Sequence, residues 1–161
     1  MNVHVVNADV LRRIRVEPIW RKILVQITLR QWQVLHDLVM VLPLLQSATG
    51  QVFHAFGDRG YFDARARAEQ AASETARGID VAALRARVRD ELCARVDGDL
   101  IPGLRVVAAP VFDLQGRLSI VVTSIATPAI GRHGDAAAEA ALLASCRRLT
   151  ESLGGRWPAG A

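Results

Sequence analysis

Residues 101–123 read IPGLRVVAAPVFDLQGRLSIVVT, and this stretch decides the fold because it carries the pattern of one β-hairpin with both strands heavily buried. Leu104, Val106, Ala108, Pro110 and Phe112 alternate with Val107, Ala109 and Val111, so both faces of the first strand are apolar, as in a strand covered on both sides. Asp113, Leu114, Gln115 and Gly116 supply the turn, Gly116 being free to take positive φ. On the return strand, residues 117–125, Leu118, Ile120 and Val122 alternate with Ser119, Val121 and Thr123. Small hydroxyls thus enter an otherwise apolar wall, which has the makings of a binding site.

Working outward, Ser47 is placed to cap a short helix whose apolar stripe is Val52, Phe53 and Phe56 and which stops at Gly57. Asp58, Arg59 and Gly60 read as a loop. Residues 63–77 are rich in Ala, Arg and Glu, which predicts an exposed, mobile helix with little core contact. Asp80 caps a stronger helix in which Val81, Leu84, Val88 and Leu92 recur at helical spacing, and Asp97, Gly98 and Asp99 turn the chain into the hairpin. Beyond a loop at 127–134, Asp135 opens a last helix with Leu142, Cys146, Leu149 and Leu153 on one face, stopped by Gly154, Gly155 and Pro158. Ahead of all this, residues 3–6 and 22–29 have strand patterns.

A chain of 161 residues, 51% hydrophobic and 22% charged, suits one globular domain. The apolar run at 34–45 is interrupted by His36, Asp37 and Pro43 and is too short to span a bilayer, and the amino terminus lacks the pattern of a signal peptide, so a cytoplasmic, non-membrane protein is expected. Cys93 and Cys146 both fall in predicted helices and read as reduced core thiols; the four histidines have no ligand spacing, so neither a metal nor a cofactor is expected. The pI near 10.0 invites a nucleic-acid reading. However, +3 of the net +4 lies in the first 40 residues, where six Lys or Arg face three Asp or Glu. A basic nucleic-acid-associated protein using that arm is therefore one alternative. A small hydrolase is another, but no His–carboxylate partner for a nucleophile, phosphate loop or dinucleotide fingerprint is visible, so no catalytic residues are assigned.

Three ordered pieces, LPLLQSATG at 42–50, PGLRVVAAPV at 102–111 and the closing helix, together resemble the effector-binding half of the IclR family of bacterial transcriptional regulators over roughly residues 41–155. The resemblance implies an α+β, GAF/PAS-like regulatory domain, a mainly antiparallel sheet flanked by helices. Residues 1–40 would be divergent amino-terminal strands of the domain whose effector-binding core is residues 41–161. It implies a ligand-binding sensor in transcription regulation that forms dimers or tetramers. A winged helix-turn-helix normally precedes this half and needs roughly 60 to 80 residues. Residues 1–40 are too few, so the DNA-reading module is expected to be absent and DNA to be reached only through such a module. By the same resemblance, the amides of Ser47, Ala48, Thr49 and Gly50 bind the carboxylate or polar end of a small organic or aromatic acid. Independently of the family, the unpaired N–H groups of a helix start favour an anion. The family also uses an acidic residue before the hairpin, here Asp97 or Asp99, and mid-strand positions, here Ala109, Pro110, Thr123 and Ser124. Pro110 stands where relatives carry a polar or sulfur side chain, which points to a less polar ligand or a different anchor.

Overall fold

The computed structural model describes residues 43–97, 105–126 and 135–158. Asp99, the loop at 127–134 and the strand patterns and domain boundary assigned within residues 1–40 lie outside the described residues. The elements are helices α1 (Ala48–Phe56), α2 (Arg59–Ala72), α3 (Glu74–Arg77) and α4 (Val81–Glu91), then strands β1 (Ala94–Asp97), β2 (Arg105–Phe112) and β3 (Leu118–Ala126), then α5 (Asp135–Ser152). The architecture is α+β, with an antiparallel three-stranded sheet in the order β1-β2-β3 among the described residues.

Both faces of the sheet are covered, as the doubly apolar β2 demands. Ala94, Val96 and Ala108 join Ala48, Val52 and Ala55 in one core, which continues into Leu84 and Val88 of α4. The small residues let α1 lie close to the sheet, with α4 packed on its far side. On the opposite face, Ala109 and Val111 meet Leu142 and Cys146 of α5, with Cys93 in the same cluster. Four helix starts are capped by side-chain oxygens, from Ser47, Asp58, Ser73 and Asp80.

Several expectations are corrected here. Asp58 is not in a loop: its carboxylate accepts from the Tyr61 amide at 2.8 Å and starts α2 at Arg59. The predicted helix at 63–77 is broken at Ser73, which closes α2 and caps α3. Nor does it lack core contact, since Ala66 and Ala76 are buried and Phe62 stacks on Phe53 with ring centroids 5.9 Å apart. Leu92 leaves the helix in the left-handed region at φ 53°, placing Cys93 between α4 and β1 rather than within a helix. Strand β1 itself was not expected from the sequence. Leu153, assigned to the buried face of the last helix, lies beyond its end and is 48% exposed.

The hairpin carries an irregularity that changes one facing. Val111 pairs with Ile120 but Phe112 pairs with Leu118, so β3 has an extra residue at this bulge. Leu118 therefore shifts away from Ile120 and Val122 and joins the α1-side core with Val121. The turn closes with Gly116 at φ 73°, while Asp113 Oδ1 accepts from the amides of Gln115 and Arg117 at 2.9 Å each. Those bonds, together with the Arg117 guanidinium, hold the Asp113 carboxyl below the usual carboxylate range.

At the same bulge the Phe112 amide donates to Oγ1 of the fully buried Thr150, at 3.1 Å, so α5 meets a ladder position through a side chain. Thr150→Val keeps the shape and removes the acceptor. It is expected to destabilise the domain by about 1–3 kcal/mol, the cost of leaving a buried N–H unpaired, and urea denaturation at constant slope measures it.

Candidate functional site

The start of α1 is built by the turn before it. Ser47 Oγ donates to Pro43 O at 2.7 Å and accepts from the Gly50 amide at 3.0 Å, while Ser47 O accepts from the Gln51 amide at 2.9 Å. One of the helix's first donors is thereby claimed, and the amides of Ala48 and Thr49 remain as groups with no intrahelical acceptor. The turn crosses so near that a Cβ on Gly50 would stand 2.4 Å from Leu44 O and 2.7 Å from Pro43 O, both backbone atoms. Glycine is required by that approach. Glu69 of α2 secures the same turn, its carboxylate accepting from the amides of Leu44 at 2.5 Å and Leu45 at 3.1 Å.

From this first turn Thr49 reaches the sheet, its Oγ1 lying 2.9 Å from Thr123 Oγ1 on β3. Thr123 pairs with Ala108, and Pro110, two residues further along β2, lies on the same α1 face, fully buried. The structure thus brings Ser47, Ala48, Thr49 and Gly50 together with Thr123, and with Pro110 on the same face. The other candidates lie elsewhere. Ala109 packs in the α5-side core, and Ser124, opposite Val107, shares that face. Asp97 is 68% exposed and forms an ion pair at 3.2 Å with Arg105, its cross-strand partner.

The other end of α1 holds a charged cluster that the sequence analysis did not single out. Arg85 of α4 donates to His54 O from Nε at 3.2 Å, stands 3.0 Å from His54 Nε2 and pairs with Asp63 of α2. Arg89 donates to Ala55 O at 2.6 Å and lies over the Phe56 ring, 5.2 Å from its centroid. Two cations thus satisfy carbonyls at the negative end of the helix. His54 is 1% exposed; burial first, and then Arg85, lower its pKa against the opposing pull of Asp63. Nε2 faces both the Arg85 guanidinium at 3.0 Å and the Asp63 carboxylate at 3.5 Å, while Nδ1 is buried with no hydrogen-bond partner among the described residues. The signal for this cluster was present in the sequence, where His54 stands amid the apolar residues of α1.

Nucleophilic thiol chemistry is disfavoured physically. Burial pushes Cys146 up to about 12 and Cys93 up to about 11, so neither is a thiolate near neutrality. Among the described residues no helix is long and apolar enough to cross a membrane, and no cluster of His, Cys, Asp or Glu could hold a metal ion.

Among solved structures, Pseudomonas aeruginosa HmgR is 32% identical with a TM-score of 0.61, over 72% of this chain and 47% of that one. A putative IclR transcriptional regulator from Silicibacter sp. TM1040 is 26% identical with a TM-score of 0.57, over 74% of this chain and 48% of that one. The C-terminal domain of the E. coli transcriptional regulator KdgR shares the fold at 22% identity and a TM-score of 0.55, over 70% of this chain and 71% of that one. The chain thus spans about half the length of the first two. No protein-family model matches it, and neither does any curated protein. The neighbours whose titles state a role are named as transcriptional regulators.

Two outcomes follow from this geometry. Thr49→Val and Thr123→Val, measured singly and together, should show a coupling of about 0.5–1.5 kcal/mol, the net worth of one hydrogen bond. The folded state binds fewer protons at His54 than the unfolded state does. Stability from His54 is therefore complete above the unfolded value near 6.5 and is lost as the pH falls toward the lowered folded value. Urea midpoints should drop between pH 7.5 and pH 5, and the drop should shrink in His54→Gln.

Proposed function

We propose that this chain is the part of an IclR-family transcriptional regulator that senses a small-molecule effector, a reading supported by its likeness to HmgR and to a putative IclR regulator. The observation that carries this reading is the Thr49–Thr123 hydroxyl contact of 2.9 Å beside the unclaimed amides of the first turn of α1. Amides and the positive end of a helix favour an anion, and the two hydroxyls supply donors or acceptors as the ligand requires. Ala48, Gly50 and the fully buried Pro110 keep the surroundings small and apolar. The ligand class that fits is a small organic or aromatic acid, its carboxylate at the helix start and its body along β2 and β3.

In this reading no catalytic step occurs. The effector acts by binding one quaternary arrangement of a dimer or tetramer more tightly than another, and it shifts the population only by that difference. DNA would be contacted through a winged-helix module, in the cytoplasm, rather than through the described residues.

A thermal-shift panel of pyruvate, benzoate and 4-hydroxybenzoate tests the proposal, because a ligand bound to the folded state raises Tm by mass action. At least one acid is expected to raise Tm. Replacing both Thr49 and Thr123 by Val should weaken that ligand about tenfold, corresponding to some 1.4 kcal/mol, as read by calorimetry. Silence across the panel, or unchanged affinity in the double variant, overturns the assignment.

A further inference from the structure

A cleft of about 790 Å³ lies beside the turn that precedes α1, and neither Thr49, Pro110 nor Thr123 lines it. Its size is within the range of small-molecule sites. Leu45, Ile79 and Leu84 give it an apolar wall, and Gln51, Asp80 and Arg87 give it three polar groups of different character.

Gln51 is 7% exposed, and its Nε2 donates to Leu45 O at 2.9 Å, which fixes the amide orientation and leaves Oε1 as the free atom. That Oε1 is buried with no hydrogen-bond partner among the described residues. A buried acceptor left unpaired is uncommon and calls for a donor. Asp80 caps α4 through Oδ1, which accepts from the amides of Ala82 and Ala83 at 3.0 Å each, while its Oδ2 has no hydrogen-bond partner among the described residues. Arg87 has no carboxylate partner among the described residues, whereas its neighbours on α4, Arg85 and Arg89, are both committed to α1.

An anion alone would meet Asp80, and a cation alone would meet Arg87. We propose that the cleft is a second ligand site, for a free α-amino acid with an apolar side chain. Its ammonium donates to Gln51 Oε1 and faces Asp80. Its carboxylate pairs with Arg87, and its side chain lies on Leu45, Ile79 and Leu84. The site is independent of the acid site at the start of α1 in both residues and ligand charge.

The test uses the full chain with methyl-labelled Ile, Leu, Val and Thr, titrated with L-leucine and followed by NMR. Saturable shifts of the Ile79 and Leu84 methyls, with Thr123 unmoved, are expected. L-leucinamide and 4-methylpentanoate each lack one charge and should bind at least about tenfold more weakly, a loss of some 1.4 kcal/mol. Arg87→Ala, at an exposed position, and Asp80→Asn, which retains a good helix cap, should lose leucine binding to a similar extent while the response to organic acids persists. Shifts confined to Thr123 and Val121 would place leucine at the first site and overturn the proposal. So would the absence of saturation, as expected of a cleft holding only water or covered by another part of the chain. Wild-type affinity in both variants would overturn it equally, and none of these results bears on the acid response.

Discussion

Helix α1 is confined between the sheet and α4, and the rest of the structure is arranged around that confinement. Thr49 and Phe56, seven residues apart and so on one face of the helix, meet the sheet at Thr123 and at the Phe112 ring, whose centroid is 5.3 Å from that of Phe56. On the side toward α4 lies His54, held by Arg85. A helix enclosed in this way has little room for side-chain bulk, which accounts for Ala48, Gly50 and Ala55. The turn crossing over Gly50 leaves no space even for a methyl group. Polar groups on such a helix must find partners inside the protein, because water cannot reach them.

That requirement is met unequally at the two ends. At the carboxyl end, Arg85 and Arg89 supply donors to His54 O and Ala55 O, and Asp63 balances the guanidinium of Arg85. The Arg85 contact holds the Asp63 carboxyl below its usual range. At the amino end no acidic side chain within the helix answers the positive dipole, since the first turn contains none. Glu69 spends its carboxylate on the preceding turn, at Leu44 and Leu45, rather than on the helix amides. The helix is therefore electrostatically complete at one end and still receptive at the other, and the receptive end adjoins the sheet.

How far the sequence announced this can be judged element by element. The hairpin was legible because β2 is apolar on both faces and the turn contains Asp113 and Gly116 at the positions where their special conformations are needed. The caps at Ser47 and Asp80 were legible for a similar local reason: a short polar side chain just ahead of an apolar period. What failed was decided by tertiary contacts. Strand β1 is only four residues long and its burial alternates through Ala94 and Val96, too weak a pattern to read without the β2 partner that pairs with it. Leu92 continued a helical period by spacing, yet it takes a left-handed conformation because the chain must turn there to enter the sheet. The bulge opposite Val111 and Phe112 reversed the facing of Leu118, and a single inserted residue leaves no composition signal. For the site, the grouping of Ser47–Gly50 with Thr123 followed from motif order, whereas the facing of Ala109 and Ser124 depended on which helix covers which side.

The two faces of the sheet differ in a way that bears on how a bound effector could be sensed. The α5 face is aliphatic and sulfur-lined, with protonated thiols at Cys93 and Cys146 and the Phe112 amide satisfied by Thr150. It offers a ligand few polar handles. The α1 face carries hydroxyls and helix amides, and whatever engages them acts on an element that is tied at its far end to α2 and α4. A well-packed helix responds to a push at one end by shifting as a body rather than by bending locally, because close-packed interiors transmit strain. An acid displacing the Thr49–Thr123 contact would therefore be felt at His54, where Asp63 and Arg85 join α2 and α4 to α1. The outer helices, exposed over most of their surface, would carry such a shift to the surface of the domain.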